Sequence, residues 1–248
     1  MILTLARYEL RRLFLSPLAW SILAVVQLIL AFMFLSNLEY YQVIQARLTG
    51  MGGGEGVTEI VVMPLLGNAA VVLLLVTPLI SMRLVSEERR NKTLSLLLSA
   101  PLSMAEIVLG KYLGLTAFLW LVLAMVALMP LSLLAGGSLD YGMFAAGLLG
   151  LALLLAGFAA VGLFMSTLTQ HQTVAAVGSF GVLLIFWILD WAGRGAGGGV
   201  LAYLALLNHY EPFLRGQVDT RDLAYHALFI ATFLVLSVRR LDMDRLGG

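Results

Sequence analysis

The side chains best suited to hold a metal ion or carry a proton here are three histidines, His171, His209 and His226, and no two stand at a metal-ligand spacing. The chain has no cysteine, which removes disulfides, thiolate zinc sites, iron–sulfur clusters and cysteine nucleophiles together. A zinc protease would need His-Glu-x-x-His, which is absent. The segment VGSFG (177–181) is not the Gly-x-Ser-Gly pattern of a rhomboid-like protease, and Ser179 has no convincing base. No GxxxxGK[ST] phosphate loop occurs, so the chain is not expected to hydrolyse ATP itself. No catalytic residue, bound cofactor or metal is therefore expected.

What remains is a concentration of charge. The run SEERRNKTLSLLLSAP (86–101) opens with Glu87, Glu88, Arg89 and Arg90, adds Lys92, and lies between two apolar blocks. Ser86 suits a helix start, with two glutamates favourably placed in the first turn. Glu88 and Lys92 stand at i,i+4 in the better orientation. Leu94, Leu97 and Leu98 share one face, and Ser95 and Ser99 lie off it. The pattern predicts an amphipathic helix over 86–98. Pro101 ends it by pushing the preceding residue out of the helical region. SMAE (103–106) then reads as a capping box, with Ser103 as cap and Glu106 three residues on. One reading is that the positive residues only pin topology while the helix lies among lipid headgroups. The other is that the segment docks a cytoplasmic partner. A topology anchor needs Lys and Arg alone; Glu87, Glu88, Glu106 and a capped break exceed that need and favour docking.

The elements that must position this run are set by composition. The chain has 248 residues, 61% hydrophobic and 12% charged, against about 25% charged in a soluble domain. Its mean hydropathy is +0.98. The expected class is an all-α integral membrane protein. With a net charge of +1, nucleic acid is not an expected partner. Six blocks are long and apolar enough to span: about 17–36, 61–82, 112–135, 142–167, 173–190 and 223–238. The first lacks a small-residue cleavage pattern and reads as a retained anchor rather than a signal peptide. Placing the N-terminus inside puts eleven of the fifteen Lys and Arg residues in inner segments, so both termini are expected to be cytoplasmic. The charged run then falls in the first cytoplasmic loop, between spans 2 and 3.

Outside, 37–60 and 191–222 contain the glycine-rich pieces MGGGEG (51–56) and GRGAGGG (193–199). VLAYLALLNHYEP (200–212) is too short to span and fits a helix on the outer surface or dipping back into the membrane. DTRD (219–222) looks like the cap of span 6. The whole chain reads as one transmembrane domain.

The residues now on the page carry a resemblance. EERRNKTLSLLLSAPLSMAEIVLGKYLG (87–114) resembles the signature of type-2 ABC transporter permeases, through Thr93, Leu94, Leu97, Pro101, Ser103, Glu106, Ile107, Gly110 and Lys111. The pattern's frequent glycine before the Thr is Lys92 here, its frequent acid after the Leu is Ser95, and its frequent base before the Glu is Met104. HYEPFLRGQVDTRDLAYHALF (209–229) is similar to the outer segment and last span of permeases of gliding motility and nitrous-oxide-reductase maturation. His209, Glu211, Phe213, Arg215, Gly216, Asp219, Arg221, Asp222 and Tyr225 carry it.

The resemblance implies a permease of the bacterial inner membrane that pairs with a second copy or a homologous permease. It implies two copies of a separate ATP-binding subunit, which holds ATP and Mg²⁺, and leaves room for an accessory membrane or periplasmic protein. The loop after span 2 would be the coupling helix seated on the ATPase, with Glu87, Glu88, Arg89, Arg90, Thr93, Leu94, Leu97, Pro101, Ser103 and Glu106 at the contact. Residues 1–16 would form an interfacial helix. Leu3, Leu5, Leu10, Leu13 and Phe14 would enter the membrane while Arg7, Arg11 and Arg12 meet anionic headgroups.

Ionisable residues within spans would mark function, and there are almost none. Gln27 and Asn68 are the mid-span polar groups, suited to a substrate path or, more commonly, to hydrogen bonds between helices. Gly142, Ala146 and Gly150, and Ala152, Ala156 and Ala160, form small-residue rows for close helix packing. Composition alone leaves a secondary transporter, a channel or a membrane scaffold as alternatives.

Overall fold

The structure, a computed structural model, describes residues 1–48, 56–93, 102–133, 139–195 and 203–246. Leu94, Leu97, Pro101 and most of both glycine-rich pieces lie outside the described residues.

An amphipathic α1 (Ile2–Leu15) leads into α2 (Pro17–Leu48). A π-helical turn, Thr58–Val62, runs into α3 (Met63–Ser81), and a tight turn gives the short α4 (Ser86–Arg90). Then come α5 (Met104–Ser132), α6 (Tyr141–Leu168), α7 (Gln172–Gly195), the one-turn α8 (Glu211–Leu214) and α9 (Thr220–Leu246). There is no strand among the described residues. Among the described residues six helices are long and apolar enough to cross a membrane, and each contains most or all of one of the six apolar blocks. The protein is an all-α integral membrane protein.

Helix α6 is the centre, packed by α3, α5, α7, α8 and α9. Its segment 154–163 is buried throughout. The peripheral α2, α7 and α9 leave Phe32, Val177 and Leu228 exposed, as apolar faces turned to lipid should be. The small-residue rows serve contacts within the chain. A Cβ at Gly150 would lie 2.5 Å from the Cβ of Phe213, so α8 sits directly on the α6 backbone there. The carbonyls of Ala152 and Ala156 accept from Trp120 Nε1 (3.2 Å) and the Tyr112 hydroxyl (3.3 Å). Gln27 Nε2 donates to the Val122 carbonyl at 3.4 Å, a bond between helices α2 and α5. Asn68 is half-buried in α3.

Most important for function is how α1 sits. It lies along α5 with Leu5, Leu10, Leu13 and Phe14 packed inward, whereas Leu3 is exposed. The contact requires glycine on α5: a Cβ at Gly110 would lie 2.7 Å from Leu5 Cδ2, and one at Gly114 would lie 2.8 Å from Glu9 Cβ. Gly114→Leu is therefore expected to push α1 off α5. The cost should be about 1–3 kcal/mol, the usual price of overpacking, read as a lower unfolding temperature in detergent.

The sequence expectation differs from the structure in the charged run. A helix was expected over 86–98, capped by Ser86 and supported by a Glu88–Lys92 pair. Instead α4 ends at Arg90, and Lys92 adopts a left-handed φ of 57°. The Thr93 N–H bonds the Glu88 carbonyl (3.0 Å) and the Lys92 N–H bonds the Arg89 carbonyl (3.3 Å). This is a Schellman stop, which favours glycine at the left-handed position, and position 92 is where the resembled pattern carries glycine. Ser86 does not cap α4 either. Its hydroxyl donates to the Met82 carbonyl, and Ser166 Oγ accepts from the Val85 and Ser86 N–H groups at 3.0 Å each. The cap comes from α6, a helix that no local pattern could name.

Candidate functional site

Two polar clusters stand out, one at each end of the bundle. The first gathers α1, α4 and the start of α5. The capping box at Ser103 fixes where α5 begins: the Ser103 hydroxyl accepts from the Glu106 N–H (3.2 Å), and Glu106 Oε2 accepts from the Ser103 N–H (3.0 Å). Two turns on, Lys111 is buried, with 1% of its side chain exposed. Its Nζ lies 2.6 Å from Glu9 Oε1 on α1 and 2.5 Å from Glu88 Oε1 on α4. Arg12 completes the cluster, 3.1 Å from Glu87 Oε2 and 3.7 Å from Glu88 Oε1. Burial works against the charge on Arg12, but the carboxylates of Glu87, Glu9 and Glu88 outweigh it and hold the guanidinium above its ordinary pKa.

Arg89 ties α4 to two further helices. It donates to the Thr167 carbonyl at the end of α6 (2.8 Å) and pairs with Asp244 near the end of α9. Arg240 reaches the same Asp244 at 3.6 Å. Three residues of α4, Glu87, Glu88 and Arg89, are thus bound to α1, α5, α6 and α9 through charge-assisted hydrogen bonds, the strong kind. A displacement of α4 that left α5 unmoved would separate Glu88 from the buried Lys111, and breaking a buried pair costs about 3–5 kcal/mol.

These distances place the expected contact residues in two groups. Glu87, Glu88 and Arg89 face inward and are committed to partners within the chain. Arg90, Thr93 and Ser103 are exposed, and Glu106 is half-exposed and held in its cap. Arg7 and Arg11 are exposed on α1, as an interfacial helix requires; Arg12 instead turns to Glu87. Sequence reasoning gave Lys111 only as a match to the resembled signature and assigned nothing to Glu9, Ser166 or Asp244. The readable signal was Glu9, an acid on the apolar face of α1.

The second cluster lies at the opposite end. Residues 203–216 bury Tyr210 and Phe213 against α3 and α6. Burial pushes the Tyr210 phenol pKa up, and its hydroxyl donates to the Leu66 carbonyl (3.1 Å). His209 stacks on Tyr225 with centroids 3.8 Å apart. Its Nδ1 lies 2.6 Å from Asp222 Oδ1 and its Nε2 lies 2.9 Å from the Tyr203 carbonyl, so an acceptor faces each ring nitrogen. Asp219 Oδ1 caps α9 by accepting from the Arg221 N–H (3.0 Å). His209→Phe keeps the stack but strands the buried Asp222 carboxylate. About 1–3 kcal/mol of stability should be lost, visible as an earlier thermal unfolding transition and easier proteolysis of the 203–216 segment.

Neither cluster contains a nucleophile beside a base. The arrangement fits transmission of movement better than bond chemistry. The family model described as ABC-2 family transporter protein matches residues 3–236. No curated protein matches the chain.

Proposed function

This chain belongs to the ABC-2 family of transporter proteins and is a membrane permease component of an ABC transporter; from that premise we propose that it couples ATP hydrolysis by a separate ATP-binding subunit to export, or to mechanical force, across the bacterial inner membrane. ATP and Mg²⁺ bind to that subunit. Two permease chains, identical or homologous, form the membrane unit with both termini cytoplasmic, and an accessory membrane or periplasmic protein can join it. The closer kinship is with permeases of gliding motility and nitrous-oxide-reductase maturation.

Segment 86–106 is the coupling segment. Arg90, Thr93, Ser103 and Glu106, together with Leu94, Leu97 and Pro101, meet the ATPase. Glu87, Glu88 and Arg89 work inward and pass displacement to the bundle. The observation that supports this reading is that α4 is bound by ions to α1, α5 and α9 and by a hydrogen bond to the end of α6. A rigid element with two arrangements can transmit a distant event, and the ion pairs that tie α4 to its neighbours suit it to that role.

The test is copurification with the ATP-binding subunit encoded beside this chain, followed by ATP turnover in nanodiscs. Stable association, with turnover that changes when the permease is present, supports the reading. If no adjacent ATPase copurifies, a channel or scaffold becomes the better account.

A further inference from the structure

At the elbow between α1 and α2 a cavity of ≈ 160 Å³ opens against the turn joining α3 to α4. Leu13, Leu18, Ala19, Ile80 and Leu84 form its apolar wall, and Glu9, Glu87, Arg12 and Arg83 bring charge to it. The two carboxylates are already used: Glu9 pairs with Lys111 at 2.6 Å and Glu87 with Arg12 at 3.1 Å. Among the charged side chains at this end that are not exposed, Glu9, Glu87, Glu88 and Asp244 are matched by Lys111, Arg12, Arg89 and Arg240, and Glu106 is held in its own cap. Arg83 is left over. It is half-buried, forms no ion pair among the described residues, and its Nε is shut off from solvent with no hydrogen-bond partner.

A half-buried guanidinium without a partner calls for an anion, since burial penalises an unmatched charge. The depth of the cavity says which kind. Trp20, one residue beyond the cavity wall, is exposed and donates its indole N–H to the Phe14 carbonyl at 2.8 Å. A tryptophan with one wet and one apolar side sits at headgroup level. The amphipathic α1 occupies that level too, with Arg7 and Arg11 exposed. An occupant there needs an anionic head for Arg83 and apolar chains for the leucine wall.

We propose that this elbow cavity is a binding site for an anionic phospholipid, its phosphodiester held by the Arg83 guanidinium and the upper part of its acyl chains lying along Leu13, Leu18 and Ile80. The lipid sits against Glu9, Arg12 and Glu87, so it wedges the α1–α2 elbow beside the ion cluster that holds α4. The site stands independently of the ATPase partnership, because it needs only this chain and a bilayer.

The test is native mass spectrometry of the full chain purified in a neutral detergent and titrated with palmitoyl-oleoyl phosphatidylglycerol. One adduct that survives collisional activation is expected. Arg83→Gln should weaken it about fivefold or more, as loss of a bidentate charged contact does. Arg83→Lys keeps the charge and the fold but loses the fork, and should weaken it about twofold to threefold. Arg7→Gln/Arg11→Gln should leave the adduct intact. Retention in Arg83→Gln, no change in Arg83→Lys, or an equal loss in Arg7→Gln/Arg11→Gln overturns the proposal. Displacement of the lipid by millimolar inorganic phosphate overturns its lipid part and assigns the site to free anions.

Discussion

Lys111→Met is expected to cost the protein about 3–5 kcal/mol, the loss seen when one partner of a buried ion cluster is removed. The reason is geometric. Lys111 Nζ is the cation between Glu9 and Glu88, at 2.6 and 2.5 Å, and it is almost wholly buried. Without it two carboxylates face each other in a medium that screens them poorly. Arg12 cannot take over, since its guanidinium lies 3.9 Å from Glu9 and is engaged by Glu87. The measurement is thermal unfolding in detergent, followed by tryptophan fluorescence. Glu9→Gln/Lys111→Met should lose clearly less than the two single losses combined, because the pair shares one interaction. An unchanged transition in Lys111→Met would mean that the cluster does not hold α1, α4 and α5 together.

Charge reversal on α4 has the second large effect, and it separates two roles of the coupling segment. Glu87→Lys/Glu88→Lys places two cations beside Arg12 and Lys111. It is expected to lower the unfolding temperature and to remove the response of ATP turnover to the permease together. Arg90→Glu lies at the exposed end of the same helix. It should weaken association with the ATP-binding subunit about tenfold, as loss of a well-packed interfacial charge can, and leave thermal unfolding unchanged. Both variants are compared in nanodiscs for turnover and in detergent for stability. If the double reversal uncouples turnover with no loss of stability, the two glutamates touch the partner directly. If Arg90→Glu changes neither association nor turnover, the exposed end of α4 is not the contact.

Apolar blocks of sufficient length were enough to define the class of this protein and its six spanning helices. That is legible because lipid leaves the backbone no alternative to helix, so length and hydropathy suffice. Local chemistry was legible for the same kind of reason. The capping box at Ser103 and Glu106 and the cap at Asp219 depend on residues a few positions apart, and both are present. The kinship with permeases was legible in 87–114, where the spacing of Thr93, Pro101, Glu106 and Lys111 is a local property.

Partner choice across the fold was not legible. Glu88 was read as the i,i+4 partner of Lys92, yet a Schellman turn ends α4 first and Glu88 meets Lys111, 23 positions on. Glu9 and Lys111 stand 102 positions apart and meet because Gly110 and Gly114 let α1 settle onto α5. Arg89 and Asp244 are 155 positions apart. Charges on a sequence carry sign and spacing but no address, and the address comes from which helices pack. Only the tertiary structure, by burying Lys111 between two glutamates and leaving Arg83 unmatched at a cavity, decided that the charged run faces inward at one end and outward at the other.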